Sequence, residues 1–338
     1  MKPPAGYRRV LSVAVTVLLA FIAAAAATVG LAPPAQAAPG AEVLSLTHLR
    51  DNLWRVVVRS SSMGEDVPFY VLRPRTDPAG APTLYLLNGA GGGEDGANWL
   101  AQTDADKFFD GKKVNVVIPE KGRGSYYTDW LRHDSKVGKP QWETFLTKEL
   151  PGPLDAALAS NGRNAIAGLS MSGTSVFNLA IAAPGLYRSV ASYSGCALTS
   201  TPEGQAAVRG IVYMAAQANA DNMWGPVTSR EWVRNDPYVN AAKLRGTKIY
   251  LSSGSGLPGK YDTPQGQAPD APPLYDQILV GGALEAATRY CTSRMAVRLQ
   301  SLGIAAQVHL PPTGTHSWGY WRDELKRSWP TIAAGLRS

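Results

Sequence analysis

Cysteine appears only twice in this chain, at Cys196 and Cys291, and histidine only four times. Two cysteines allow a single disulfide and exclude a scaffold built on several. Basic runs are missing as well. The net charge is +7 on 338 residues, and no Lys/Arg cluster or basic aromatic stripe lies beyond residue 37, so the chain lacks the electrostatic footprint of a nucleic-acid binder. No internal repeat or low-complexity linker divides the remainder, which reads as one domain over 38–338. The glycine-rich Asn88-Gly89-Ala90-Gly91-Gly92-Gly93 is not followed by Gly-Lys-Ser/Thr, which argues against a phosphate-binding P-loop.

One long hydrophobic run is present, from Val10 to Ala32 behind Lys2, Arg8 and Arg9. With small residues up to Ala37 it reads as a secretory signal peptide over 1–37, cleaved after Ala37. Its length also suits an uncleaved membrane anchor, and Arg8-Arg9 leaves the export route open. Removing it takes three positive charges from +7 and leaves +4. An exported chain meets an oxidising compartment, so Cys196 and Cys291 are expected to pair.

Two kinds of strand follow. Leu53 to Arg59 and Pro68 to Leu72 alternate as half-buried strands do, with a turn expected at Gly64-Glu65-Asp66. Thr83–Leu87, Val114–Ile118, Ala165–Ala167, Ser189–Tyr193 and Lys248–Leu251 are mostly continuous apolar runs, the pattern of a parallel sheet covered on both faces. Helical segments around 142–158 and 174–183 lie between them. The expected class is α/β, with function in loops at the carboxyl ends of the strands.

At one such end, Ala165-Ile166-Ala167 runs into Gly168-Leu169-Ser170-Met171-Ser172-Gly173. Gly-x-Ser between a strand and a helix is the pattern of a nucleophile elbow, with Ser172 where the full motif has its last glycine; an ordinary Gly/Ser-rich turn is the alternative. Ser170 is the candidate nucleophile, and the Met171 amide would face a developing oxyanion. The second oxyanion donor is expected at Ala90, in the glycine-rich loop after an earlier strand. Among the histidines, His48 and His309 fall in strands and His133 in a charged loop, whereas His316 follows the last strand and a Pro311-Pro312 stop. It is the candidate base. For the acid, Asp262, Asp270, Asp276 and Glu285 all remain open by spacing.

Further motifs carry a family resemblance. Gly168-Leu169-Ser170-Met171, Trp142 to Pro151, Asp221-Asn222-Met223-Trp224-Gly225-Pro226, Arg234-Asn235-Asp236-Pro237 and Pro311 to Trp321 resemble, in the same order, the antigen 85 mycolyltransferases of mycolic-acid bacteria. The resemblance implies an α/β-hydrolase fold with a mostly parallel central sheet and helices on both faces. It also implies a Ser-Glu-His triad whose acid follows a leucine on a helix, matching Leu284-Glu285. Oxyanion amides at Ala90 and Met171 and an active-site role for Trp318 are implied too, with core packing as the alternative for Trp318. The disulfide would then pin the acid-bearing helix to the sheet, because Cys291 lies six residues beyond Glu285.

The implied reaction is mycolyl transfer between carbohydrate hydroxyls, from trehalose monomycolate to a second molecule of it or to cell-wall arabinogalactan, at an envelope lipid surface and without metal or cofactor. A secreted carboxylesterase and a non-enzymatic matrix- or wall-binding protein are the alternatives. The sequence departs from the mycobacterial members at the sugar side of the pocket, where they carry Asp at Asn88 and Arg at Gly91. The glycine- and proline-rich 252–277 is expected to be an active-site loop, and the apolar stretch Ala206 to Ala216 to cover an acyl chain or to pack as an amphipathic helix.

Overall fold

A computed structural model describes residues 40–269 and 271–338; the proposed leader and Asp270 lie outside the described residues. The strands are β1 (Glu42–Arg50), β2 (Leu53–Ser60), β3 (Glu65–Leu72), β4 (Thr83–Leu87), β5 (Asn115–Pro119), β6 (Asn164–Leu169), β7 (Tyr187–Tyr193), β8 (Lys248–Ser252) and β9 (Ala306–His309). They form one sheet in the order β1-β2-β3-β5-β4-β6-β7-β8-β9. Pairings on the β1–β2–β3–β5 flank are antiparallel, and those from β5 through to β9 are parallel. The β2–β3 turn lies earlier than expected, in residues 61–64. Gly64 takes φ +66° and Glu65 is already paired with Ser60.

The continuous apolar runs follow from burial on both faces. Tyr85, Leu87, Val117, Ile166 and Val190 point into one core layer. Their neighbours Leu84, Leu86, Val116, Ala165 and Ala191 point into the other. Successive side chains in a strand alternate sides, so a central strand needs an apolar residue at every position.

The longer helices are α1 (Pro151–Leu158), α2 (Met171–Ala182), α3 (Pro202–Ala216), α4 (Leu274–Ser301) and α5 (Trp318–Arg337). Helical chain begins at Trp142 and reaches α1 through a π-helical turn, Phe145–Glu149. The sequence did not mark the length of α4. Gly281 and Gly282 interrupt its helix-forming pattern, yet a Cβ at Gly282 would lie 2.7 Å from the Gly256 carbonyl. Glycine there lets the loop around Gly256 pack against the helix. That loop is shorter than the expected 252–277, because Leu274 to Gln277 form the first turn of α4. Among the described residues, no helix is long and apolar enough to cross a membrane.

Candidate active site

The strand β6 ends at Leu169 and α2 begins at Met171, leaving Ser170 alone to make the turn at φ 54°, ψ −121°. A non-glycine residue at positive φ persists only where its surroundings over-determine it. Here Ser172 supplies much of that. Its Oγ accepts from the Leu169 amide at 2.9 Å and lies 3.0 Å from the Leu169 carbonyl and 3.2 Å from that of Leu87, so the residue in place of the motif's last glycine braces the elbow.

His316 comes to Ser170 from the loop after β9. Its Nε2 lies 2.8 Å from Ser170 Oγ and its Nδ1 lies 2.7 Å from Glu285 Oε2. Glu285, in the middle of α4, is 1% exposed. A buried carboxylate must be hydrogen-bonded, and Oε1 accepts from Ser194 Oγ at 2.8 Å, Ser253 Oγ at 2.9 Å and the Gly254 amide at 2.5 Å. With that oxygen held, Oε2 is left to the imidazole. The rings of His316 and Trp321 pack at right angles with centroids 4.9 Å apart, and Trp321 donates to Ser194 Oγ at 3.0 Å.

The His316 loop is anchored by a second buried carboxylate. Asp262 Oδ1 accepts from Thr315 Oγ1 at 2.5 Å and Gln277 Nε2 at 2.8 Å, while Oδ2 accepts from Tyr320 at 2.6 Å and the Gly259 amide at 2.7 Å. Burial and this carboxylate hold the Tyr320 phenol well above its ordinary range, as a proton donor. The His316 amide also donates to the Gly281 carbonyl at 3.1 Å.

A cavity of about 430 Å³ opens at Ser170 and His316. Ala90 and Met171 line it, and among the described residues neither amide has an internal acceptor. Its remaining walls are mostly apolar, with Asp95 and Arg123 among the polar exceptions. Leu198, Leu284 and the α3 residues Val208, Ile211 and Met214 make much of the apolar part, so the stretch from 206 to 216 is a helix that also borders the cavity.

The esterase family profile matches residues 60–332. Diacylglycerol acyltransferase/mycolyltransferase Ag85A of Mycobacterium tuberculosis (strain ATCC 25618 / H37Rv) is 32% identical over 293 residues, covering 82% of this chain and 80% of that protein. The chain belongs to the antigen 85 family of esterase-type proteins. The Mycobacterium leprae Ag85C relative is 31% identical over 81% of this chain and 79% of its own. The crystal structure of Mycobacterium tuberculosis MPT51 superposes with a TM-score of 0.68 at 26% identity, covering 86% of this chain and all of that one. An S-formylglutathione hydrolase from Agrobacterium tumefaciens, 14% identical, shares the fold with a TM-score of 0.62 over 87% of this chain and 99% of its own.

Two residues expected at the substrate do not reach it. Asn88 is 1% exposed; its Nδ2 donates to the Pro119 carbonyl at 2.8 Å and its Oδ1 accepts from the Trp99 amide at 3.3 Å, so it stitches the loop to its neighbours. Trp318 packs edge-on against Trp99 and Trp321 at 5.5 and 5.3 Å, outside the cavity lining. Gly91 does line the cavity. The space a side chain there would need is taken by the Asp95 carboxylate, 2.0 Å from a Cβ at Gly91. Ser194, Ser253 and Gly254 are surroundings of the triad that spacing did not reveal, since serines and glycines at strand ends look like any turn, and Asp262, an acid candidate by spacing, anchors the His316 loop instead.

Cys196 and Cys291 are bonded, with Cα atoms 4.9 Å apart. Cys196 lies just past β7 and Cys291 two turns beyond Glu285, so the bridge ties α4 to the sheet beside the triad. Replacing both cysteines by alanine is expected to lower stability by about 2–4 kcal/mol, read as a lower urea midpoint. An unchanged midpoint would show that packing alone holds α4.

Proposed function

We propose that the chain is an exported acyltransferase that moves mycolyl groups between carbohydrate hydroxyls, with Ser170 as nucleophile, His316 as base and Glu285 as its orienting acid. The observation that carries this reading is the unbroken hydrogen-bonded line from Ser170 Oγ through both His316 nitrogens to Glu285, with Ser170 and His316 lining a largely apolar cavity. The antigen 85 relatives named as mycolyltransferases supply the acyl group.

Ser170 Oγ attacks the ester carbonyl while its proton passes to His316 Nε2. Glu285 stabilises the imidazolium, and the Ala90 and Met171 amides bind the oxyanion. Collapse breaks the bond to the donor sugar oxygen, which takes the proton from Nε2 and leaves an acyl-serine. An acceptor hydroxyl then gives its proton to Nε2 as it attacks the acyl carbon; collapse breaks the bond from that carbon to Ser170 Oγ, and Nε2 returns the proton to Oγ. No step requires a metal or a cofactor. Trehalose monomycolate is the donor in this reading, and a second molecule of it or arabinogalactan is the acceptor. The polypeptide that does this is residues 38–338, released from its leader after Ala37 and working outside the cell at the envelope lipid surface.

Incubation of the mature protein with trehalose monomycolate tests the reading. Dimycolate and free trehalose in equal amounts are the expected products. Free mycolic acid alone would make the protein a hydrolase on the same triad, and an inert protein would remove this donor.

A further inference from the structure

A second cavity, of about 280 Å³, lies on the far side of Arg123 from Ser170. Arg123 lines both, and its Nε donates to the Ala215 carbonyl at the end of α3, so the side chain lies between them. The two spaces differ in chemistry. Aliphatic side chains line much of the catalytic cavity, whereas Glu65, Glu94, Lys121, Lys136 and Ser125 line the second.

The loop geometry places this cavity at the polar end of the active site. Gly92, at φ +67°, brings the 88–95 loop onto the Arg123 backbone, where a Cβ would come within 2.4 Å of the amide. Glu94 Oε1 accepts from the Gly122 and Arg123 amides at 3.0 and 3.1 Å. Asp95 follows it into the space over Gly91. Asp95 and Arg123, both in the lining of the catalytic cavity, therefore stand at the end of it that adjoins the second cavity.

We propose that this cavity is an acceptor subsite for a hydroxyl-rich carbohydrate, holding sugar units beyond the one whose hydroxyl attacks the acyl-serine. The inference rests on the transferase reading above and names where the rest of the acceptor binds. Three features decide the ligand class. Among the described residues, neither Lys136 nor the Arg123 guanidinium meets a carboxylate, so both have free donors. Glu65, paired with Lys121 at 2.8 Å, and Glu94 supply acceptors in the same space. A hydroxyl donates and accepts at once and satisfies both sets, whereas an anion would face two carboxylates. The volume is below the roughly 300–1,000 Å³ of whole small-molecule sites, which suits part of a longer glycan.

The test is the partition of one acyl-enzyme between sugar and water. With p-nitrophenyl butyrate as donor, the ratio of transferred to hydrolysed butyrate is measured with a tetra-arabinofuranoside and with methyl arabinofuranoside as acceptors. Because both products leave the same acyl-enzyme, the ratio is independent of how much protein is folded. In the Glu65→Gln, Lys136→Met variant, the ratio is expected to fall about tenfold for the tetrasaccharide and less than twofold for the monosaccharide. Equal falls for both acceptors, or no fall for either, would overturn the subsite. If the wild type releases nitrophenol but transfers to neither sugar, the transferase reading fails separately. The subsite is then judged by calorimetric titration of the Ser170→Ala protein with the tetrasaccharide. Binding that the double substitution abolishes would support it, and absence of binding would overturn it.

Discussion

Ser170→Ala is expected to lower kcat for a short p-nitrophenyl ester by about 10⁶-fold, the scale on which removal of a triad nucleophile is felt. The fold should not suffer. Alanine carries the same Cβ through the turn, and the bracing bonds at the elbow are made by Ser172, not Ser170. Burst kinetics on the wild type and their absence in the variant would assign the acyl group to this oxygen. A loss of less than tenfold would mean that another group performs the attack, and the proposed mechanism would fall with it.

Glu285→Gln is the second large effect, expected at about 10⁴-fold in kcat with little change in KM, because the analogous change of a triad carboxylate to its amide leaves the geometry but loses the imidazole tautomer. The environment makes the substitution severe. Oε1 of Glu285 already accepts three donors, so an amide NH2 cannot sit there without opposing Ser194, Ser253 and the Gly254 N–H. The NH2 is therefore turned toward His316 Nδ1, which must then accept. Nε2 becomes the protonated nitrogen and can no longer take the Ser170 proton. Steady-state kinetics at pH 7 to 9 measure this; a loss below about tenfold would show that Glu285 serves the fold and not the base.

The inner shell of the triad was legible to different degrees. The elbow is local in sequence, since Gly168, Ser170 and the following helix stand within a few residues of one another. His316 could be isolated because histidine is scarce and this one follows the last strand. Glu285 could not be separated from Asp262 and Asp276 by spacing, and the structure gives these three carboxylates different tasks. Glu285 faces His316, Asp262 holds the loop that carries His316, and Asp276 lies in the first turn of α4. Asn88 and Trp318 were placed at the substrate by family position, and both are turned away by packing.

By itself, the sequence determined the order of strands and helices, the parallel sheet buried on both faces, the strand-to-helix turn at Ser170 and the one histidine placed after the last strand. These depend on periodicity and on neighbours close along the chain, where local sterics and burial act directly. Spacing left the acid open and the family resemblance pointed to Glu285; only the tertiary structure decided which groups hold that carboxylate, where the loop around Gly256 packs, that Asp95 fills the space over Gly91, and that a polar cavity lies behind Arg123. Each of these joins segments tens of residues apart, and their approach is set by how helices and loops pack on the sheet, which no short stretch of sequence encodes.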